Sequence, residues 1–336
     1  MRRTLLRLSL PFREPFVTAS GVTTQREIAL LRLEDDSGTR GYGEAAPFEP
    51  YDGVALDEVL EALRRGPTSA GPPQARAAEE MARLDLFARR EARPVGEPGA
   101  LAVVVNRTLS AGPPGEAAAH AALGARAGFQ CFKLKVGLPD DEDRVRAVRE
   151  AIGPWPALRV DANGSWGVDE AVAAIERLAA YDLEMVEQPC PSLEELAAVR
   201  RRVEVPITAD ESIASADDVR DAASVGACDL VNVKVSASGG VSGARAALRE
   251  ATAQGLGAFL SSTLDGPWGI AAALQLAASE RLTVASGLAT LELFDSPLAR
   301  LVAPPAGGVM AVPPGPGLGV EVEPSALADA VVEELD

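Results

Sequence analysis

From about residue 100 onward the chain repeats one pattern: a short apolar run, then a longer Ala-rich amphipathic stretch. The apolar runs at 101–106, 131–136, 157–161, 184–187, 206–209, 229–233, 257–261 and 282–285 read as strands. Between them, 115–127, 140–152, 168–180, 192–202, 215–224, 239–254 and 267–278 read as helices. Such alternation predicts a parallel βα barrel. The rival is a doubly wound open sheet, which carries a Gly-rich turn after its first strand; no such turn directly follows 101–106.

The first 100 residues differ. Strands are expected at 4–10, 26–34 and around 41–44, broken by the turn Asp35-Asp36-Ser37-Gly38, followed by helices at 55–64 and 74–90. This is an α+β pattern. The tail carries the turn-rich Pro313-Pro314-Gly315-Pro316-Gly317-Leu318-Gly319, then a strand candidate at 320–322, and is expected to return to the N-terminal domain. The expected division is therefore 1–100 together with 308–336, against a barrel over 101–307.

A net charge of -17 disfavours nucleic acid and anionic membranes, which need basic surface. No apolar run reaches the roughly 18 residues of a membrane span. The start, Met1-Arg2-Arg3-Thr4-Leu5-Leu6, fails as a signal peptide because Arg7 interrupts it and Arg13 and Glu14 follow. Cys131, Cys190 and Cys228 are odd in number and not in CxxC spacing, which reads as reduced thiols in a cytoplasmic protein.

Charges stand at the ends of the barrel strands. Lys133 and Lys135 lie in one strand, Asp161 and Glu187 end the next two, and Asp210 and Lys234 follow two more. Their spacing is about one βα unit, and a parallel barrel gathers the C-terminal ends of its strands on one face. Charges far apart in sequence therefore converge. Three carboxylates packed together repel unless a cation neutralises them. An all-oxygen set suits Mg²⁺, with Mn²⁺ as a substitute, and with no His or Cys among these positions Zn²⁺ is disfavoured. The lysines flank the acids in strand order, and Lys133 and Lys135, two apart on a strand, point the same way. A lysine acts as a base only where burial or nearby positive charge makes it a weaker ammonium holder.

The segments Lys133-Leu134-Lys135, Asp161-Ala162-Asn163, Glu187-Gln188-Pro189, Ala209-Asp210-Glu211-Ser212 and Lys234-Val235-Ser236 resemble the enolase superfamily, in its muconate lactonising enzyme-like branch. Gly41-Tyr42-Gly43-Glu44 and Pro316-Gly317-Leu318-Gly319 are similar too, so the resemblance covers nearly the whole chain. It implies an α+β capping domain over a modified (β/α)7β TIM-type barrel. It also implies one Mg²⁺ on Asp161, Glu187 and Asp210, a substrate carboxylate bound to it, and abstraction of a proton α to that carboxylate by a lysine. The only histidine, His120, falls in a helix well before these strands, which argues against members with a His–Asp base.

Within the branch, Pro15–Gly21 with Arg26-Glu27, Gly43–Pro47 with Pro50-Tyr51, and Gly287-Leu288-Ala289-Thr290 resemble the o-succinylbenzoate synthase family. The loop near 15–24 is expected to set specificity. Ser261 and Ser262, with Asp265 beyond, look like the end that binds a substrate carboxylate, and Gly287 stands beside them. Asn163 and Glu211 look like partners of the catalytic groups, with a plain salt bridge an equal reading for Glu211. Trp166 and Trp268 are candidates for the pocket wall, with simple packing the commoner role. The resemblance implies dehydration of a cyclohexadiene carboxylate in menaquinone biosynthesis, Lys135 moving the proton and Lys234 stabilising the enolate. Epimerisation of dipeptides or racemisation of N-succinyl amino acids would use the same two lysines as acid and base. Dipeptide epimerases often place an acidic pair, one residue apart, after the last strand to hold the substrate ammonium; here Glu292 stands alone until Asp295. A non-catalytic metal-binding barrel is the alternative of another class. The expected partner is a small-molecule carboxylate, without nucleic acid or membrane, and assembly into a homo-oligomer stays open.

Overall fold

The computed structural model describes residues 1–66, 71–97 and 99–335. In chain order it contains β1 (Arg2–Thr18), β2 (Gly21–Glu34), β3 (Arg40–Ala45), α1 (Glu49–Asp52), α2 (Leu56–Arg65) and α3 (Pro73–Arg90). Next come β4 (Ala102–Val104), β5 (Arg107–Leu109), α4 (Pro114–Arg126), β6 (Cys131–Lys135), α5 (Asp141–Ile152), β7 (Ala157–Asp161) and α6 (Val168–Leu178). Then follow β8 (Leu183–Glu187), α7 (Leu193–Arg200), β9 (Ile207–Ala209), α8 (Ala216–Val225), β10 (Leu230–Val233), α9 (Val241–Ala253), β11 (Gly257–Leu260) and α10 (Pro267–Ser279). The chain ends with β12 (Val309–Ala311), α11 (Pro324–Ala330) and β13 (Val331–Leu335). None of the described helices is long and apolar enough to cross a membrane.

The parallel sheet runs β5 to β11 in sequence order. Two parallel bridges, Val105 to Ser286 and Ser261 to Gly287, join its ends through a last, two-residue strand. The arrangement is a modified βα barrel in which seven strands each precede a helix and the eighth is reduced to Ser286 and Gly287. Two expectations are corrected here. The apolar run 282–285 forms no strand; pairing comes immediately after it. The run 101–106 divides, because Ala102–Val104 pairs antiparallel with Val309–Ala311 while the barrel strand starts beyond Asn106. An apolar run reveals burial but not the partner it pairs with.

A second sheet, in the order β13-β1-β2-β3, is antiparallel. Both of its faces are covered, so successive residues of β2 are buried on opposite sides. Ala29, Leu31 and Leu33 join Val59, Leu63 and Leu86 in one cluster, while Ile28 and Leu30 join the larger cluster that contains the barrel. The Gly41-x-Gly43 spacing has a steric cause. A Cβ on Gly43 would stand 1.9 Å from the Ala78 carbonyl oxygen, and one on Gly41 would stand 2.4 Å from that of Ala82. α3 thus packs backbone to backbone on β3, which glycine alone permits. In the tail, 320–322 is not a strand; pairing with β1 comes from Val331–Leu335, which the turn-rich sequence before it did not signal.

Glu44 at the end of β3 crosses to the barrel. Its carboxylate accepts the backbone N–H of Gly266 at 2.6 Å, of Trp268 at 3.2 Å and of Gly269 at 3.3 Å. These are orphan donors of the first turn of α10, so a residue from the other sheet caps this helix. Burial, and then the neighbouring Asp265 carboxyl, push Glu44 up to about 8 despite these bonds. The folded protein therefore keeps a proton that the unfolded chain releases above its ordinary value of 4.5. Stability is expected to fall as pH rises between 4.5 and about 8. Glu44→Gln should lower Tm by roughly a few degrees and flatten that part of the curve. Thermal unfolding across the range checks it, and an unchanged slope would assign the titration to other groups.

Candidate active site

The barrel register aligns the charged strand ends. Lys135 pairs with Asp161 across β6 and β7, and Asp161 pairs with Glu187 across β7 and β8. Asp210 and Lys234 directly follow β9 and β10 on the same rim. Asp161, Glu187 and Asp210 are buried, and one ligand oxygen from each lies within 4.8 Å of the others. Residues that follow two of these strands hold left-handed backbone: Asn163 has φ 46° and Gln188 φ 37°. Non-glycine residues adopt this conformation at a cost, and it gathers at functional sites. Here it turns the chain sharply. The Gln188 side-chain oxygen accepts the N–H of Asp210 at 2.7 Å, and the Asn163 N–H reaches Asp161 Oδ1 at 3.0 Å.

Three lysines balance the three acids. Lys133 Nζ lies 2.6 Å from Glu187 Oε1 and 2.8 Å from Asp161 Oδ2. Lys135 Nζ donates to Asp161 Oδ2 at 2.6 Å and to Asn163 Oδ1 at 2.9 Å. Lys234 pairs with Asp210 and donates to the Tyr51 hydroxyl at 2.8 Å. Burial opposes ionisation of Asp161, but Lys133 and Lys135 outweigh it and hold the carboxyl below the usual range. Glu187 goes the other way. Burial, offset in part by Lys133 and reinforced by Asp161 and Asp210, lifts it to about 7. Lys133 is raised: burial lowers it, and the attraction of Asp161 and Glu187 outweighs that. Glu211 is also raised, by burial and then by Asp161.

The acids fit a hard divalent cation. They offer only carboxylate oxygen, and Glu187 Oε2 is buried with no hydrogen-bond partner. Glu211 Oε2 nearby is buried without a partner as well, so the carboxylates of this rim are short of positive charge, as a cation-binding set would be.

A cavity of about 170 Å³ opens above the acids. Lys133, Lys135, Asn163, Asp210, Glu211 and Lys234 form its floor and sides. Ser261, Ser262 and Gly287 line the opposite wall with Thr108 and Thr290. Ser262 and Thr290 share a hydroxyl hydrogen bond of 2.8 Å, while Ser261 Oγ is buried without a partner. A Cβ on Gly287 would stand 2.8 Å from that of Ser261, so glycine keeps this wall closed. Phe16, Thr18 and Ser20, at the tip of the β1–β2 hairpin, reach the mouth. Glu211 accepts from the Asn163 amide at 2.9 Å.

Some sequence candidates lie elsewhere. Asp265 does not line the cavity: its Oδ1 accepts from the Thr263 hydroxyl at 2.8 Å, and it is buried beside Glu44 and Arg26. Trp268 is fully buried and stacks on Tyr42 with ring centroids 6.0 Å apart. Trp166 borders a separate groove with Leu138 and Asp140. Two polar contacts escaped the sequence reading. Tyr51 donates to Asp210 Oδ1 at 3.1 Å, and its ring centroid is 4.3 Å from Lys234 Nζ. Asn232 donates to Glu187 Oε1 at 2.8 Å. Asn232 had a signal, since it stands two residues before Lys234 as Lys133 does before Lys135. Tyr51 arrives from outside the barrel, and the resemblance carried by Pro50-Tyr51 marked its segment but not this contact.

The profile of the enolase C-terminal domain-like family matches residues 116–326. An o-succinylbenzoate synthase of Thermobifida fusca (strain YX) is 40% identical over 315 residues, covering 90% of this chain and 86% of the relative. An L-Ala-D/L-Glu epimerase of Bacillus subtilis (strain 168) is 31% identical over 94% of both chains. The crystal structure of an N-succinyl Arg/Lys racemase from Bacillus cereus ATCC 14579 superposes with a TM-score of 0.93 at 25% identity, covering 99% of this chain and 98% of that one. A strand-end triad of acids between lysines, the barrel that aligns it and these likenesses agree: the chain belongs to the enolase C-terminal domain-like family.

Proposed function

We propose that the protein is a Mg²⁺-dependent o-succinylbenzoate synthase that dehydrates 2-succinyl-6-hydroxy-2,4-cyclohexadiene-1-carboxylate in menaquinone biosynthesis in the cytoplasm. The observation that carries this reading is the distribution of charge in the cavity. Lysines from β6 and from the end of β10 enter from different sides, and the far wall holds hydroxyls. Among the described residues, the acids that line the cavity are Asp210, which pairs with Lys234 and Tyr51, and Glu211, whose Oε1 accepts from Asn163 while its Oε2 has no partner. Glu292 is paired with Arg107 at 3.2 Å and lies outside. A substrate bearing carboxylates suits a pocket lined by Lys133, Lys135 and Lys234 against only Asp210 and Glu211. The 40% identity to a synthase supports the same choice.

In this reading Asp161, Glu187 and Asp210 hold the metal, with Mn²⁺ as a substitute. When bound, Mg²⁺ supplies positive charge against a substrate carboxylate as its α-carbon loses a proton. Lys135 takes that proton at Nζ and returns it to the departing hydroxyl, so that water leaves and the ring becomes aromatic. Lys234 remains an ammonium and stabilises the enolate from the other side. Lys133 neutralises Asp161 and Glu187, and Asn163 orients Lys135 while holding Glu211. Ser261, Ser262 and Gly287 receive the succinyl carboxylate, and Asp265 supports that wall through Thr263. Residues 1–100 and 308–336 form the capping domain, and 101–307 the barrel.

A second reading, N-succinylamino acid racemase, is favoured by the TM-score of 0.93 to a racemase and uses the same lysines. It would need Lys234 to exchange protons as well.

Loss of the diene absorbance should be fast with Mg²⁺ and absent with chelator, and Lys135→Ala should slow it by about 10²–10⁴-fold. Turnover of the diene that survives Lys135→Ala would remove Lys135 from the mechanism. Calorimetry reads the metal separately: the wild type should bind Mg²⁺, and Glu187→Gln should weaken binding at least about tenfold. Equal affinity in the variant would move the metal elsewhere. In D₂O, Ala-Glu dipeptide should show no α-deuterium uptake; rapid uptake would make the protein an epimerase instead.

A further inference from the structure

Arg26 is an unusual residue to bury. It lies in β2, outside the barrel, and is 5% exposed. Among the described residues no carboxylate forms an ion pair with it, although Glu44, Asp52 and Asp265 surround it more distantly. Its partners are neutral. One terminal nitrogen, Nη2, donates to the carbonyl of Ala46 at 3.2 Å and to that of Thr263 at 3.1 Å. Its guanidinium carbon lies 4.7 Å from the centroid of the Phe48 ring. Nε has no partner at all. A buried charge so sparsely satisfied is costly, and an apolar side chain would fill the space more cheaply.

Its contacts have one thing in common. Phe48 and Thr263 both line the cavity, the first from the segment after β3 and the second from the loop after β11. The Thr263 hydroxyl, whose shorter bond goes to Asp265, also lies 3.1 Å from the Ala46 carbonyl oxygen. A single guanidinium therefore joins the two chain segments that make this corner of the pocket, with the Phe48 ring against its face. The guanidinium makes both bonds through Nη2 while its carbon stays over the Phe48 ring, a stacked placement that arginine favours over lysine.

We propose that Arg26 is a positioning residue that sets the outer wall of the pocket, holding Phe48 and Thr263 at a fixed separation and so governing how tightly the distal part of the substrate is held. This deepens the synthase reading and rests on it for the identity of the substrate, not for the geometry. Arg26 acts through Phe48, and the chemistry at Lys135 does not involve it.

The test is a double-mutant cycle with Arg26→Lys and Phe48→Leu, using the diene substrate with Mg²⁺. Arg26→Lys is expected to raise KM about tenfold with kcat changed less than about threefold, and its effect on KM should largely vanish in the Phe48→Leu background. A merely structural staple would lower Tm and active fraction without that KM dependence on Phe48. Equal effects in both backgrounds, or a loss confined to kcat, overturn the proposal. Hydrogen exchange decides it independently of turnover. Arg26→Lys should speed exchange in residues 44–51 and 263–266 and leave β6 to β8 unchanged, whereas unchanged exchange in these segments overturns it. A wild type that binds Mg²⁺ but leaves the diene intact would sink the synthase reading while the exchange result still judges Arg26. Should Arg26→Lys fail to fold, the same exchange measurement on Phe48→Leu replaces it: loosening at 46–48 and 263 is expected, and none overturns the proposal.

Discussion

Everything in this molecule depends on keeping three carboxylates together in a dry place. Asp161, Glu187 and Asp210 are buried at adjacent strand ends, where like charges repel with little water to screen them. The protein meets that repulsion with Lys133, Lys135 and Lys234, each touching at least one of the acids. The compensation is uneven. Asp161 receives two ammonium groups and is held ionised, while Glu187, with Lys133 and the amide of Asn232, is left a more reluctant anion. Glu187 also keeps one buried oxygen without a partner, so the local field and a hydrogen-bond deficit coincide at this residue.

The barrel was legible because its signal repeats. The strands from β6 to β11 are short apolar runs ended by turn chemistry, and charges placed one βα unit apart must share a rim whatever the exact strand limits. The margins were less legible for a related reason. The closing strand is only Ser286 and Gly287, too short to leave a periodic trace, and the Leu282–Ala285 run beside it drew the expectation away. β4 reads as a barrel strand because its apolar content says nothing about its antiparallel partner at Val309–Ala311. Tyr51, Arg26 and Glu44 are a third kind of case. Each makes a contact with a residue far along the chain, Tyr51 with Asp210, Arg26 with Thr263 and Glu44 with Gly266, and no local pattern encodes an encounter of that range.

The pocket is built by two bodies. The barrel supplies the charged floor and the hydroxyl wall, and the antiparallel sheet supplies the aromatic side and the hairpin tip at Phe16, Thr18 and Ser20. Chemistry and selectivity are thereby placed on different parts of the chain. The lysine pair and acids can stay constant while the other body changes what fits above them, which agrees with a family whose relatives here include a synthase, an epimerase and a racemase.

That separation is incomplete, and Glu44 shows where it stops. Its carboxylate occupies the end of a barrel helix, and a Cβ on Gly266 or Gly269 would collide with it. The helix and the foreign side chain are therefore one fitted part. A chimera that joined this barrel to a relative's N-terminal half would inherit an uncapped α10 unless the donor placed an acid at the same point. A donor that did so would still require the two glycines in the recipient. The unit of exchange between such proteins is consequently larger than either half, and includes the stretch from Gly43 to Ala46 together with the loop from Thr263 to Gly269.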